Sequence, residues 1–325
     1  MIHSDDLKQE QCKARCISLK YYSFFKMFRF VILVLTLLMI PTLQNDAQVK
    51  GVNYVVLIGV DGMSPDGVNK ANTPIMDNLI QRSAYSMSAR AVMPSSSSPN
   101  WSSMLMGAGP EQHGVTSNDW RPDKFQLPPT EVGPGGIFQT IFSLLREQQP
   151  SVITACFHDW GGIGHLFERD AVNRIEDTDG PVHTTERAVS YIIDKKPNFT
   201  FIHLDHADHA GHAHGYTSPE YYKSVEEADR LIGETIKGLT TAGMIEKTII
   251  IITSDHGGVG KGHGGASKAE MLIPWIISGP GVVQGKELKS YINIYDTAAT
   301  IAYVFGLKTP KSWIAKPVLE SFETQ

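Results

Sequence analysis

Cysteine is scarce in this 325-residue chain: there are three, and two of them, Cys12 and Cys16, precede an apolar segment near the N-terminus. Only Cys156 lies in the part that follows, so no disulfide is expected there and stability must come from a hydrophobic core. No second Cys or His pair follows Cys12 and Cys16 at metal-site spacing, so we interpret that pair as incidental.

The chain also has little excess of charge of either sign. The chain has 34 Asp and Glu against 29 Lys and Arg, a formal net charge of −5, and 42% hydrophobic residues. No basic stripe indicates nucleic acid and no acidic tail indicates a chaperone-like partner, so binding of duplex nucleic acid is not expected. The composition is that of an ordinary globular protein.

Long apolar runs are missing too. The run at residues 31–40 is too short to span a bilayer comfortably and is typical of a signal-peptide core, with Lys26 and Arg29 as its positive flank. We therefore predict a leader over residues 1–47, either a signal peptide or an uncleaved anchor, with Met27 as an alternative start. The protein is then exported: periplasmic, at the cell surface or secreted, with membrane contact only through an uncleaved segment.

Apolar segments of strand length alternate with helical patterns after the leader, without an internal repeat. This alternation predicts a doubly wound, mostly parallel α/β sheet with helices on both faces, as one catalytic domain over residues 50–320. Small cap insertions are expected at 119–135 and 157–182. The predicted strands are 54–60, 84–93, 151–157, 199–204, 248–252 and one from 272; the predicted helices are 73–79, one starting near Pro99, 135–145, 183–194, 218–243 and 295–305.

Acidic residues follow two of the buried-looking strands. Asp61-Gly62 ends the first, and Asp255-His256 ends the strand at 248–252, with His263 seven residues further on. Ligands of open α/β sheets bind outside the carboxyl ends of strands, so these residues are candidate metal ligands. The alternative is an Asp that caps a turn beside a surface His.

Serines cluster at 95–98, just before Pro99-Asn100, where a helix is expected to start. A helix N-terminus favours an anion or the alkoxide of a serine, so this run is a candidate nucleophile segment. A solvated serine-rich linker is the alternative, although the flanking segments are apolar.

The segment at 205–215 holds the densest set of metal-ligand residue types, with four histidines between 206 and 214. Asp208 and His212 are predicted to converge on one ion from a turn. His206, His209 and His214 are interpreted as outer or surface residues, and Asp205 as a residue that orients a ligand His. A His-rich surface loop is the alternative.

The strand-end set contains three carboxylates, three imidazoles and one hydroxyl: Asp61, Asp208, Asp255, His212, His256, His263 and Ser97. The four positive charges of two divalent cations would be offset by the three carboxylates together with a phosphate or a serine alkoxide. Such a pair would clamp the attacking and leaving oxygens of a phosphoryl displacement and would lower the pKa of the serine hydroxyl.

These motifs, in this order, resemble the alkaline phosphatase superfamily and within it the nucleotide pyrophosphatase/phosphodiesterase (type I phosphodiesterase) family. They are Val60-Asp61-Gly62, Ser97-x-Pro99-Asn100, Asp208-x-x-Gly211-His212, Ser254-Asp255-His256-Gly257 and Gly262-His263-Gly264. The resemblance implies one zinc ion held by Asp61, Asp255 and His256 with the nucleophile, and another held by Asp208, His212 and His263. Ser97 stands where the family usually has Thr, with Ser96 and Ser98 as alternatives. The Cys/Ser-x-Pro-x-Arg setting of sulfatases is missing, and Ala315-Lys316-Pro317 replaces the usual Gly-Lys-Pro.

Asn118 stands where diesterases of this family contact the phosphate, and Trp120 is a candidate stacking surface. A neutral Asn suits a monoanionic diester, whereas an Arg such as Arg121 would suit a dianionic monoester. A plain turn residue and a core aromatic are the alternatives for Asn118 and Trp120. We expect a phosphodiesterase or pyrophosphatase that acts on a small phosphate ester through phosphoserine. A phosphomonoesterase on the same frame and a non-catalytic phosphate- or metal-binding protein remain alternatives.

Overall fold

Apolar strands at the centre of one sheet organise this molecule, for which we describe residues 49–323 of a computed structural model, apart from the side chain of Pro134. The sheet has eight strands in the order β4-β3-β5-β1-β6-β7-β2-β8. The pairs β4–β3, β3–β5, β5–β1, β1–β6 and β2–β8 are parallel, and β7 is antiparallel to both β6 and β2. The strands are β1 Tyr54–Val60, β2 Ala84–Arg90, β3 Thr154–His158, β4 Arg174–Asp177, β5 Phe199–Leu204, β6 Thr248–Thr253, β7 Leu272–Ser278 and β8 Lys286–Glu287.

Helices cover both faces of this sheet. They are α1 Pro65–Lys70, α2 Pro74–Gln81, α3 Ser97–Met106, α4 Pro110–His113, α5 Ile141–Gln148, α6 Pro181–Lys195, α7 His206–His214, α8 Pro219–Thr241, α9 Lys268–Met271 and α10 Asp296–Val304, with 3-10 turns at Pro134–Gly136, Gly161–His165, Arg169–Ala171, Ile245–Lys247 and Leu319–Ser321. Of the helices in the described range, none has the length and apolar character required to cross a membrane.

Two hydrophobic clusters separate along the side-chain alternation of the strands. Leu57 on β1 packs with residues of α3, α5 and α10 on one face, and Ile58 packs with residues of α2, α6 and α8 on the other. All residues of β5 and β6 are buried, as their mostly apolar sequences predict for strands covered on both sides. The predicted doubly wound, mostly parallel sheet is thus confirmed.

Two local predictions are wrong. The helix expected over 135–145 begins only at Ile141, because Gly135 and Gly136 have φ of 76° and 82°, and Thr140 caps the first turn by accepting from the Phe142 N–H. The segment after β5 is a helix, α7, and not a turn, since its alanines favour helix; it ends at Gly215, where φ is 105°.

Other boundaries differ by a few residues. The strand expected over 84–93 ends at Arg90, the one over 151–157 starts at Thr154, and the helix expected near Pro99 starts at Ser97. The proposed cap segments hold loops, two whole 3-10 turns, the start of a third at Pro134–Gly136, and β4. A cavity of about 640 Å³ has both Pro122 and His165 in its lining. The predicted leader and its cysteines lie outside the described residues.

Candidate metal and phosphate site

Three adjacent parallel strands, β5, β1 and β6, bring their carboxyl ends to one edge of the sheet. Asp61 directly follows β1, and Asp255 and His256 follow β6. Asp208 lies in the first turn of α7, which starts two residues after β5. The common edge explains why residues far apart in sequence become neighbours.

Asp61, Asp255 and His256 form the buried centre of this site. His256 Nε2 lies 3.5 Å from Asp61 Oδ1 and 3.2 Å from Asp255 Oδ2, and all three side chains are inaccessible to solvent. Asp61 Oδ1 and Asp255 Oδ2 have no hydrogen-bond partner. Two unpaired, buried carboxylate oxygens are costly by themselves, so this arrangement fits a bound cation that completes it.

Ser97, the first residue of α3, borders this centre. Its Oγ lies 3.3 Å from His256 Nε2, and the residue is 5% exposed. Asn100 holds the loop that leads to it: its side chain accepts from the Val92 N–H at 2.7 Å and donates to the Ser96 carbonyl at 2.8 Å. The serine run is therefore an ordered helix start and not a solvated linker.

Asp208, His212 and His263 form a second group beside the first. His212 Nε2 and His263 Nε2 lie 3.3 and 3.6 Å from the two carboxylate oxygens of Asp208 and 3.1 Å from each other. Asp208 and His212 are four residues apart on α7, so both project from one helix face. The ring of His263 stacks on that of His256 with centroids 3.7 Å apart, so the two groups are contiguous.

Backbone carbonyls orient the three imidazoles. Each Nδ1 lies 2.8–2.9 Å from a carbonyl oxygen, to which only a protonated Nδ1 can donate, and each Nε2 is left facing the carboxylates. This is the tautomer that a ligand His needs, with its second ring nitrogen held by an acceptor. The acceptors for His212, His256 and His263 are the carbonyls of Lys261, Gly257 and Ser95.

Burial and crowding shift the protonation of this site. Burial, with the nearby charges of Asp255 and Asp208, raises the pKa of Asp61 to about 7. Burial also raises the pKa of Asp255 to about 7, and burial beside His256 lowers the pKa of His263 to about 4. The site thus favours a neutral His263 and resists a full set of carboxylate charges unless a cation offsets them.

Tyr216 contacts segments of both groups, and no sequence pattern predicted it as a site residue. Its hydroxyl donates to Asp208 Oδ1, and its ring lies against two glycines, where a Cβ would come within 2.6 Å at Gly211 and 2.3 Å at Gly258. Gly211 precedes the ligand candidate His212, and Gly258 follows the Asp255-His256 pair, so the ring contacts both segments that carry candidate ligands.

His203 and Trp101 contact the site from within the core, and neither was predicted as a site residue. Trp101 Nε1–H donates to Asp61 Oδ2 at 3.0 Å, and His203 Nε2 lies 3.2 Å from the same oxygen. Burial lowers the pKa of His203, but its contacts with Asp159 and Asp61 outweigh burial and raise it to about 10. A histidine inside an apolar strand was the available sequence signal, since a buried imidazole requires polar partners.

Asn118 lies next to the nucleophile candidate, whereas Trp120 does not offer a binding surface. Asn118 is exposed and its Oδ1 accepts from the Ser98 N–H at 2.8 Å, whereas its Nδ2 donates no hydrogen bond to another described residue. Trp120 is 6% exposed and belongs to the hydrophobic core, so the alternative of a core aromatic is the one supported. Arg121 donates to the carbonyls of Asn118 and Trp120, at 3.0 and 2.6 Å.

The other histidines of α7 point away from the two groups. His206 Nε2 lies 2.9 Å from the Ser224 carbonyl, and the largely exposed His209 pairs with Asp205 at 2.8 Å. His214 is exposed. Asp205 is close enough to Asp61 and His203 for the three to form another potential ion-binding group.

The mixed sheet, with acids and histidines at the carboxyl ends of its central strands, defines an alkaline-phosphatase-like α/β protein. A mutant of the alkaline phosphatase PafA has a similar fold, with a TM-score of 0.70 at 11% identity over 83% of this chain and 99% of that one. An inactive variant of murine ectonucleotide pyrophosphatase/phosphodiesterase 5, in complex with AMP, has a TM-score of 0.66 at 15% identity over 79% of this chain and 96% of that one.

Sequence comparison gives the family. Residues 55–261 match the type I phosphodiesterase/nucleotide pyrophosphatase family model, and the chain belongs to that family. Ectonucleotide pyrophosphatase/phosphodiesterase family member 1 of Mus musculus is 26% identical over 201 residues, 57% of this chain and 21% of that protein. Arylsulfatase K of Bos taurus is 31% identical over 106 residues, 31% of this chain and 20% of that protein. The chain thus spans about a fifth of the length of these curated relatives.

Proposed function

We propose that this protein is a metal-dependent phosphodiesterase or nucleotide pyrophosphatase that forms a phosphoserine on Ser97. The observation that carries the proposal is the position of Ser97 Oγ, 3.3 Å from His256 Nε2 and beside two buried carboxylate oxygens without partners. A hydroxyl at a helix start, next to a site suited to cations, is an arrangement for attack on phosphorus.

Two divalent ions, zinc by the family resemblance, would occupy the two groups. Asp61, Asp255 and His256 would hold one together with Ser97, and the other would be held by Asp208, His212 and His263. The mixture of carboxylate oxygens and imidazole nitrogens suits zinc. Bound ions would polarise the phosphoryl oxygens and lower the pKa of the serine hydroxyl.

Side chains and backbone of the protein then position the ester and cleave it. Ser97 Oγ loses its proton and attacks phosphorus, the bond to the leaving oxygen breaks, and the leaving oxygen takes up a proton. Water later cleaves the Ser97–phosphate bond, which returns a proton to Oγ and releases the phosphate. The Ser97 N–H, which has no partner among the described residues, and the positive end of the α3 dipole favour the phosphate charge. Asn118 Nδ2 is a donor for a non-bridging oxygen of the substrate.

A diester substrate is favoured over a monoester by the state of Arg121. Its guanidinium donates to two carbonyls of its own loop, which leaves the neutral Asn118 as the donor next to Ser97. A neutral donor suits a monoanionic diester.

The AMP complex of the murine family member 5 supports a nucleotide-type substrate. The apolar segment at 31–40 supports an exported protein.

Hydrolysis of bis-p-nitrophenyl phosphate and of p-nitrophenyl phosphate, with and without a chelator, tests this function. We expect faster turnover of the diester, loss of activity on chelation and recovery with zinc. Ser97→Ala should lower kcat by at least about a thousandfold, because it removes the nucleophile, while bound metal is retained.

Ser102→Ala is a matched control, since Ser102 is a buried serine on the same helix whose hydroxyl makes no hydrogen bond. Wild-type activity of Ser97→Ala would assign the nucleophile elsewhere. Preference for the monoester would support the phosphatase alternative, turnover of p-nitrophenyl sulfate would support a sulfatase, and no turnover of any ester with zinc bound would support a binding protein.

A further inference from the structure

The two oxygens of Asp61 have different surroundings. Oδ2 accepts from Trp101 Nε1–H at 3.0 Å and faces His203 Nε2 at 3.2 Å, whereas Oδ1 has no hydrogen-bond partner and lies 3.5 Å from His256 Nε2. Two nitrogen donors on one oxygen fix the plane of the carboxylate. The other oxygen is thereby directed toward His256 and Asp255.

Asp159 faces His203 from the side opposite Asp61. His203 Nδ1 lies 3.4 Å from Asp159 Oδ1, an ion-pair contact without a hydrogen bond, and Asp159 is itself held by the Asp205 N–H, which donates to the same oxygen at 2.8 Å. The side chains of His203 and Asp159 are 0% and 2% exposed, so water does not compete for these contacts. Asp159, His203 and Asp61 thus form a line that runs from the end of β3 through β5 to β1.

A glycine lets Trp101 reach the same oxygen. Gly59 lies opposite His203 in the β1–β5 register, and a Cβ at Gly59 would come within 2.4 Å of the Trp101 ring. The indole packs edge-on against His203, with ring centroids 4.9 Å apart. The two donors therefore support each other as well as Asp61.

We propose that His203 and Trp101 are positioning residues that select Oδ1 of Asp61 as its metal-binding oxygen, and that the ion-pair contact with Asp159 supports His203 in this task. The inference rests on the proposed metal-dependent function. Groups that orient a metal ligand from behind typically change metal affinity by about 10- to 100-fold when removed. An ion held directly by Asp61, His203 and Asp205 is the competing arrangement, and stoichiometry distinguishes the two.

Calorimetric titration of the metal-free full-length protein with Zn²⁺, and visible spectra with Co²⁺, test the proposal without relying on turnover. We expect wild type to bind two ions. His203→Met, which removes both ring nitrogens, should weaken one binding step by about 10- to 100-fold, leave the other step unchanged and alter the Co²⁺ spectrum. His203→Gln, which keeps an N–H donor at about the same reach, should restore most of the lost affinity.

Trp101→Phe should weaken the same step and carries the test alone if His203→Met does not fold. Its matched control is Trp275→Phe, because Trp275 is equally buried but donates its indole N–H to Thr297 Oγ1 at 3.1 Å. Wild-type affinities and spectra in both His203→Met and Trp101→Phe would overturn the inference and leave the proposed function intact. Three ions in wild type and two in His203→Met would overturn it in favour of a ligand role, and no ion bound by wild type would overturn the proposed function as well.

Discussion

Gly59→Ala is the substitution that tests most directly how the core is coupled to the site. The new Cβ would lie 2.4 and 2.5 Å from two carbons of the Trp101 ring, whereas ordinary contacts begin at 3.4 Å, so the ring must retreat by about 1 Å. β1 cannot yield instead, because it is paired on both sides, with β5 and β6. A shift of that size is enough to break the 3.0 Å hydrogen bond from Trp101 to Asp61.

Overpacking of this kind costs about 1–3 kcal/mol. In a domain of this size each kcal/mol lowers Tm by about 2–4 °C, so we expect Tm to fall by roughly 2–12 °C. Differential scanning fluorimetry measures this, with Gly262→Ala as control, because a Cβ there would meet nothing within 4 Å. A wild-type Tm and wild-type metal affinity in Gly59→Ala would refute the reasoning that Trp101 is wedged between β1 and the site.

Three further predictions concern the site and its supports. Tyr216→Phe keeps the ring but removes the donor to Asp208, so we expect one metal-binding step to weaken by about tenfold or more in calorimetry; unchanged affinity would contradict this link. In metal-free protein, the pKa values of Asp61 and Asp255 are raised from 3.8 to about 7. The stability that their bound protons contribute is fully present below the pKa of the unfolded chain, and it is lost as pH rises from there through about 7. Tm should therefore fall from about pH 4 to about pH 7 more steeply in wild type than in Asp61→Asn, and equal slopes would count against the shift. Asn100→Ala leaves buried backbone groups unpaired and should cost roughly 1–3 kcal/mol in urea unfolding; an unchanged midpoint would mean that the loop before Ser97 does not need this side chain.

Much of the fold could be predicted from short apolar runs. The residues of β5 and β6 are apolar or β-branched apart from His203, and such strands are typical of the centre of a sheet that is covered on both faces. Helix starts could also be predicted where Ser or Thr precedes Pro, as at Ser218 before α8. A side-chain cap and a proline at the first helical position both act locally.

Segments whose conformation depends on distant contacts were harder to predict. The 205–215 segment reads as a turn because of its polar and glycine content, but α7 packs against α8, and its alanines allow the helix. Trp120 illustrates the same limit: a tryptophan in a polar stretch suggests a binding surface, yet its burial depends on residues elsewhere in the chain.

The sequence by itself determined the central strands, the acids and histidines at their ends and the family, because each of these can be recognised from short runs of neighbouring residues. Only the tertiary structure decided which atoms meet. Trp101 in α3, His203 in β5 and Tyr216 in the loop after α7 contact candidate ligands, and no local sequence pattern connects them to those ligands. The physical reason is that a ligand's orientation depends on the donors packed behind it, and packing between distant segments has no signature of its own in the sequence.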